Sequence, residues 1–258
     1  MWELSISVDA TKIDVARFVY QTLKAQTEEF GGVVTCYEEF SKIFVLVACP
    51  IEEKGRVSVF VERCIIKAIC NFYKRDFLTT NLSLPMHENM SMTAFTKALI
   101  NFDKETDFYI ISKNLTLDKN LYLDSFYNFK LMVLREKWGE LVSLANENSD
   151  YLVSTDAFFD LLKFLIDNLE VGQDEIDVFE DENGYSISPI EDSKDLQCEK
   201  LSDEGLVSSL IDICPKKINL FCKSDDKAVT FLRSIFDERV NVCYNKQIER
   251  IDNLSFMK

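Results

Sequence analysis

Pro215-Lys216-Lys217-Ile218-Asn219-Leu220-Phe221-Cys222 decides how the second half of this chain folds. Pro215 stops a preceding run of helical spacing (Leu206, Val207, Leu210, Ile211, Cys214), because proline offers no amide hydrogen to a helix. Beyond it, Ile218, Leu220 and Cys222 alternate with Lys217, Asn219 and Phe221, the period of two that marks a strand with one apolar face. A turn at Ser224-Asp225-Asp226 leads into a second helical stripe, Val229, Leu232, Ile235 and Phe236, and then to Val240-Asn241-Val242-Cys243. Helix, strand, helix, strand predicts a closing βαβ unit whose two strands run parallel across the crossover.

Working outward, residues 174–188 read as a β-hairpin: Ile176 and Val178 flank Asp177, and Ile187 sits between two serines. Asn183-Gly184 is the expected type I′ turn, which wants positive φ at both positions. Hairpin and βαβ unit together predict a small mixed sheet in a C-terminal α/β lobe, residues 171–258. At the other end, Trp2, Leu4, Ile6 and Val8 alternate with polar residues as a first strand. A helix follows with the stripe Val15 or Ala16, Val19, Tyr20 and Leu23, capped by Asp9 or Thr11 and ended by Gly31-Gly32. Strands over 33–37 and 42–48, joined at Glu38-Glu39, precede a long helix through Val57, Val61, Cys64, Ile65, Ala68, Ile69, Phe72 and Tyr73. The order β-α-β-β-α resembles the opening of a ferredoxin-like unit, with a fourth strand placed over 77–84, in an N-terminal α/β lobe of residues 1–84.

The middle, residues 85–170, is helical. Met92, Phe95, Leu99 and Phe102 share a helical face, and that helix is expected to continue to Ile111. Tyr127, Leu131, Leu134, Trp138, Leu141 and Ala145 mark a helix over 121–146. After the turn and cap residues Ser149-Asp150 and Ser154-Thr155-Asp156, Phe158, Leu161, Leu162, Leu165, Ile166 and Leu169 mark its partner in a central helical hairpin. The fold class is therefore α+β.

The net charge of −15 is localised. Residues 150–212 hold eighteen acidic and three basic side chains, whereas the remaining residues hold 26 of each. Such a field repels phosphate backbones, so nucleic acid is not an expected partner. It is either solvated surface or a docking site for a basic protein. The longest apolar run, 43–49, falls far short of the ~20 residues that span a bilayer, and no secretory signal opens the chain. The expected location is the cytoplasm, where the eight cysteines stay reduced.

Catalytic constellations are not evident. His87 is the one histidine, placed in the loop Pro85-Met86-His87-Glu88-Asn89, which excludes zinc sites built on two or more imidazoles. Cys64 and Cys70 lie nearly two turns apart on one helix and read as core, and most of the eight cysteines sit where small core residues would. Cys214, Cys222 and Cys243 are either core or a thiolate site where the last strands end. Walker and Gly-x-Gly-x-x-Gly sequences are missing. The acidic run 177–184 fails as a calcium loop, because a glycine at loop position six puts Phe179 where a carboxylate is required. Glu38-Glu39 and Asp225-Asp226 sit in turns. Lys216, Lys217, Lys223, Lys227, Arg233 and Arg239 are expected to pair with the acidic segment. Arg239, at a helix-to-strand junction, is expected to cap carbonyls or pair with a carboxylate.

The motifs Asp124-Ser125-Phe126-Tyr127-Asn128-Phe129-Lys130-Leu131, Phe158-Phe159-Asp160-Leu161-Leu162-Lys163-Phe164, Gly205-Leu206-Val207-Ser208-Ser209-Leu210-Ile211-Asp212-Ile213-Cys214-Pro215 and Ile235-Phe236-Asp237-Glu238-Arg239-Val240 resemble the YtxC-like family of sporulation-associated proteins from spore-forming Gram-positive bacteria. The resemblance covers residues 120–243. Members often continue past the last strand with further cysteines, where this chain has Tyr244-Asn245-Lys246. The resemblance implies a sporulation context and carries over no catalytic residue, metal or cofactor. The expected function is non-enzymatic, through contacts with a protein partner that the acidic field would want basic. The alternative is a small-molecule-binding or enzymatic α+β protein with its site between the two lobes.

Overall fold

The computed structural model describes residues 1–83, 89–147, 155–188 and 200–244. They form two compact units, each with its own sheet and helices, in an α+β architecture. Among the described residues no helix is long and apolar enough to cross a membrane.

The first unit comprises Met1–Leu82 and Asp103–Ala145. Strand β1 (Trp2–Asp9) turns Trp2, Leu4, Ile6 and Val8 inward. Burying a side chain of that kind contributes about 1.5–3 kcal/mol. Helix α1 (Ile13–Thr27) packs Val15, Ala16, Val19 and Leu23 on the sheet, after a 3₁₀ turn capped by the Asp9 carboxylate. A second 3₁₀ turn, Glu28–Phe30, follows the helix and is ended by Gly31 with φ at +66°. Strands β2 (Val33–Glu39) and β3 (Lys42–Cys49) form the expected hairpin, but the pair Glu39–Lys42 closes it, so the turn is Phe40-Ser41 rather than Glu38-Glu39. Helix α2 (Lys54–Ala68) packs on α1, then widens into a π-helical segment, Ile69–Lys74.

The chain next departs from expectation. Residues 77–84 do not supply the fourth strand. Helix α3 (Arg75–Asn81) occupies most of that stretch, because the spacing of Lys74 and Leu78, both fully buried, keeps it helical. The fourth strand is β4 (Asn120–Tyr122), parallel to β1 in the sheet order β2-β3-β1-β4. The helix expected from Met92 to Ile111 is two helices. Helix α4 (Asn89–Asn101) belongs to the second unit and α5 (Lys104–Asn114) to the first, with Asp103 left-handed at the break. The helix expected over 121–146 likewise begins as β4, a single turn α6 (Leu123–Ser125) and a π segment (Phe126–Lys130). It then runs regularly as α7 (Met132–Glu147).

The second unit comprises Ser83–Phe102 and residues from Asn146 onward. Helix α8 (Thr155–Asp167) follows residues 148–154, so Ser149-Asp150 and Ser154 lie outside the described residues. Strands β5 (Gln173–Asp181) and β6 (Gly184–Ile187) are the predicted hairpin. Its Asn183-Gly184 pair is not a type I′ turn, since Asn183 keeps negative φ. Gly184 is needed for another reason: Leu201 pairs with Tyr185, and a Cβ on Gly184 would lie 2.5 Å from the Leu201 carbonyl oxygen. Helix α9 (Asp203–Ile213), capped by Ser202, leads to β7 (Pro215–Cys222). Helix α10 (Lys227–Phe236), capped by Asp226, leads to β8 (Val240–Tyr244). The sheet order is β6-β5-β7-β8, with β5, β7 and β8 parallel, so the predicted βαβ unit is present. Phe95, Phe158, Phe159 and Phe231 run through the helical layer as successive ring contacts at 5.5–6.0 Å.

Candidate functional site

Each sheet keeps one side on its helices and turns the other to solvent. In the first unit the register across β2, β3, β1 and β4 aligns Tyr37, Phe44, Ser7 and Tyr122 in one row. Tyr37 and Phe44 stack at 5.0 Å, and the Lys42 ammonium lies 5.1 Å from the Tyr122 ring. The next row is Thr35, Leu46, Ser5 and Asn120, and beyond it Val33 pairs with Ala48. Tyr37, Tyr122 and Val33 are all exposed, and Phe40 at the hairpin tip is 89% exposed. An open groove of about 900 Å³ at the Trp2 end of the sheet is lined by Ser5, Thr35, Leu46 and Asn120 of this side and by Trp2 and Leu4 of the other. Its charged rim is mixed, with Glu3 and Asp118 beside Lys54 and Lys119. A three-aromatic row on a solvent-facing sheet is contact area of the kind that anchors partners.

Behind this sheet, Asp124 ties the ends of β1 and β4 together. Its carboxylate accepts from the Asp9 amide at 2.8 Å, the Lys12 ammonium at 2.6 Å and the Tyr73 hydroxyl at 2.9 Å. Burial, together with the Asp124 charge that accepts its proton, pushes the Tyr73 phenol far above its ordinary range. The Lys12 ammonium also lies 3.9 Å from the Tyr73 ring. The hydrogen bonds of this cluster converge on Asp124 and hold the strand ends, so the cluster acts as a clamp. Both π segments feed it or its surroundings, one through Tyr73 and the other through Tyr127, whose ring lies 4.7 Å from that of Tyr73.

In the second unit the solvent-facing row is Ser186, Phe179, Phe221 and Cys243. Phe179 and Phe221 stack at 4.8 Å with planes 8° apart. One step along the strands, the Asn219 amide donates to Asp177 at 2.9 Å and to Glu175 at 2.7 Å, while Asn241 donates to the Asn219 oxygen at 3.3 Å. Lys217 pairs with Glu175 at 2.6 Å and holds that carboxyl below its usual range, assisted by Asn219. Neither aromatic row was among the residues singled out in the sequence. Alternation places a residue on a face, but stacking depends on which residues the register sets side by side.

Arg239 takes the structural role expected of it. Its guanidinium reaches Asp167 at 2.8 Å, the Pro215 carbonyl at 3.4 Å and the Cys214 sulfur at 3.6 Å. The three late cysteines do not converge. Cys214 caps α9 at one end of β7, Cys222 lies at the other end on the buried face, and Cys243 faces solvent. Burial pushes the thiols of Cys64 and Cys70 up to about 12 and that of Cys222 to about 11, which makes them poor nucleophiles. Cys36 is exposed on the edge strand β2, where just Val34 turns inward. His87 and Cys198 lie outside the described residues. Among the described residues no three of His, Cys, Asp and Glu gather as a metal would need. As expected, basic residues of the closing unit pair with the acidic segment, Lys216 with Asp174, Lys217 with Glu175 and Arg239 with Asp167, while Arg233 pairs within the unit with Asp225.

No curated protein and no solved structure matches the chain. The pattern of the YtxC-like family matches residues 86–241, which include strands β5, β6 and β7, Asp124 and the second π segment. That match covers more than half of the sequence, and the chain belongs to the YtxC-like family.

Proposed function

We propose that this is a non-enzymatic, sporulation-associated protein of the cytoplasm that works by binding other proteins. The observation that carries the reading is the solvent-facing row Tyr37, Phe44 and Tyr122 with Phe40 at the hairpin tip. Large apolar side chains gathered on one sheet face are costly to leave in water and gain by being covered. The groups that would otherwise suggest chemistry are engaged structurally: Tyr73 and Lys12 on Asp124, Arg239 on Asp167, and three buried thiols raised out of reach of neutral pH. Family membership supports the sporulation setting.

The test is affinity purification of the full chain from sporulating cells, run beside a Tyr37→Ser/Phe40→Ser variant. A partner retained by the wild-type chain and lost by the variant is expected. Turnover of a metabolite at an ordinary enzymatic rate, or no specific partner at all, would overturn the reading.

A further inference from the structure

We propose that the solvent-facing side of the second unit's sheet docks an extended basic segment of a protein partner, with an arginine or lysine laid over the Phe179–Phe221 stack and its charge directed to Asp177. This rests on the protein-binding reading above and adds the surface and the partner's chemistry.

Charge chooses the occupant. On this side of the sheet the hairpin presents Glu175, Asp177 and Asp181 and no cation of its own. Lys216, Lys217 and Lys200 pair with Asp174, Glu175 and Asp181. Asp177, beside the aromatic pair, is held by the neutral amide of Asn219 instead. It therefore presents negative charge two residues along the strand from the stacked rings, on the same side of the sheet. A guanidinium or ammonium satisfies both at once, since a cation is drawn to the π-face and to the carboxylate. An acidic segment or a phosphate backbone would meet repulsion at the same place.

Shape agrees with charge. Phe179 and Phe221 lie on the two central strands, so an occupant must lie across the sheet rather than add to its edge. Beside them Gln173, Glu175, Asp177, Ser188 and Asn219 line a recess of about 210 Å³, room for one long side chain. All of these residues fall inside the stretch matched by the family. The first unit's aromatic face has mixed charges at its rim and selects no such partner.

The test uses the full chain and three fluorescent peptides: an arginine–valine alternating octamer, its glutamate–valine counterpart and its serine–valine counterpart. A labelled single-stranded oligonucleotide is the fourth probe. Anisotropy titrations should show binding of the basic peptide alone. Asp177→Asn, which keeps an acceptor for Asn219, and Phe179→Ser should each weaken it by about five-fold or more, about one kcal/mol. Asp160→Asn, which removes the same charge from exposed α8, should leave it within about two-fold. Equal loss in Asp160→Asn, no loss in Asp177→Asn, no binding of the basic peptide, or equal binding of the acidic peptide or the oligonucleotide would overturn the proposal. Should Phe179→Ser fail to fold, Asp177→Asn carries the test alone. In cells, a partner held equally by wild type and Asp177→Asn defeats this surface while leaving the protein-binding reading intact. No partner for the wild-type chain defeats that reading itself.

Discussion

The Lys74 ammonium lies 2.6 Å from the Asp107 carboxylate inside the first unit, with both side chains sealed from solvent at 1% and 3% exposure. Trp138 donates its indole hydrogen to the other carboxylate oxygen at 3.1 Å. Lys74 closes the first π segment and Asp107 lies in α5. The pair therefore ties together chain on either side of the stretch 83–102, which belongs to the second unit. Burial pushes the Asp107 carboxyl up and the Lys74 charge opposes it, leaving it above the ordinary range.

Breaking such a pair leaves an unpartnered buried charge, whereas removing both charges does not. Lys74→Met is expected to cost about 3–5 kcal/mol in urea unfolding. Lys74→Met/Asp107→Asn, which keeps an amide oxygen for Trp138, should cost less than Lys74→Met alone. Costs that simply add would show that the two groups are not coupled.

Asp103 predicts part of the acid response. Burial pushes its carboxyl up, but Lys137 at 2.6 Å and the Thr106 hydroxyl outweigh that and hold it below its ordinary value. The folded state then binds this proton less readily than the unfolded chain does. Its stabilising contribution is present above the unfolded pKa of about 3.9 and is lost as pH falls through the lower folded value. Asp103→Asn, which tolerates the left-handed backbone at φ +55°, should flatten the fall in stability between about pH 5 and pH 3. Unfolding curves with the same acid slope as wild type would refute this.

The β2–β3 turn carries strain that can be relieved. Phe40 and Ser41 hold φ at +47° and +60°, the values a type I′ turn needs and that Asn-Gly supplies cheaply. Phe40→Asn/Ser41→Gly should stabilise the chain by about 1–2 kcal/mol. If Phe40 is kept for contact, the same variant should bind the partner less well while melting higher. A lower melting temperature would show that Phe40 stabilises the hairpin more than its backbone strains it.

Elements whose pattern is local were legible in the sequence. Alternation in Trp2–Asp9 and Pro215–Cys222, and the stripes through Val19 and Leu232, lie on the faces they were expected to bury. What escaped depends on distant chain. Strand β4 has three residues, too few for a period, and is a strand because it lies beside Ser5, Ile6 and Ser7. Gly184 marks the approach of Leu201 rather than a turn type. The π segments have the apolar spacing of ordinary helix, so nothing in their residue types marks the wider turn. The Phe179–Phe221 stack is fixed by register between strands some forty residues apart, which alternation does not specify.

Cysteine chemistry separates exposed from buried positions sharply. At pH 8 a thiol raised to about 12 is ionised in roughly one molecule in ten thousand, and one raised to about 11 in roughly one in a thousand. Burial also denies reagents access to Cys49, Cys64, Cys70, Cys214 and Cys222, whereas Cys36 stands exposed on β2 and Cys243 half-exposed on β8. Among the described cysteines, alkylation of the native chain followed by peptide mapping should therefore modify Cys36 first and Cys243 more slowly. The five buried thiols should react at the rate of global unfolding, because exposure requires the core to open. Urea should accelerate those five together within each unit and leave Cys36 unchanged. Rapid labelling of Cys64 or Cys70 in the absence of denaturant would mean that the α2 and π-segment core opens locally, and that the clamp on Asp124 does not hold it closed.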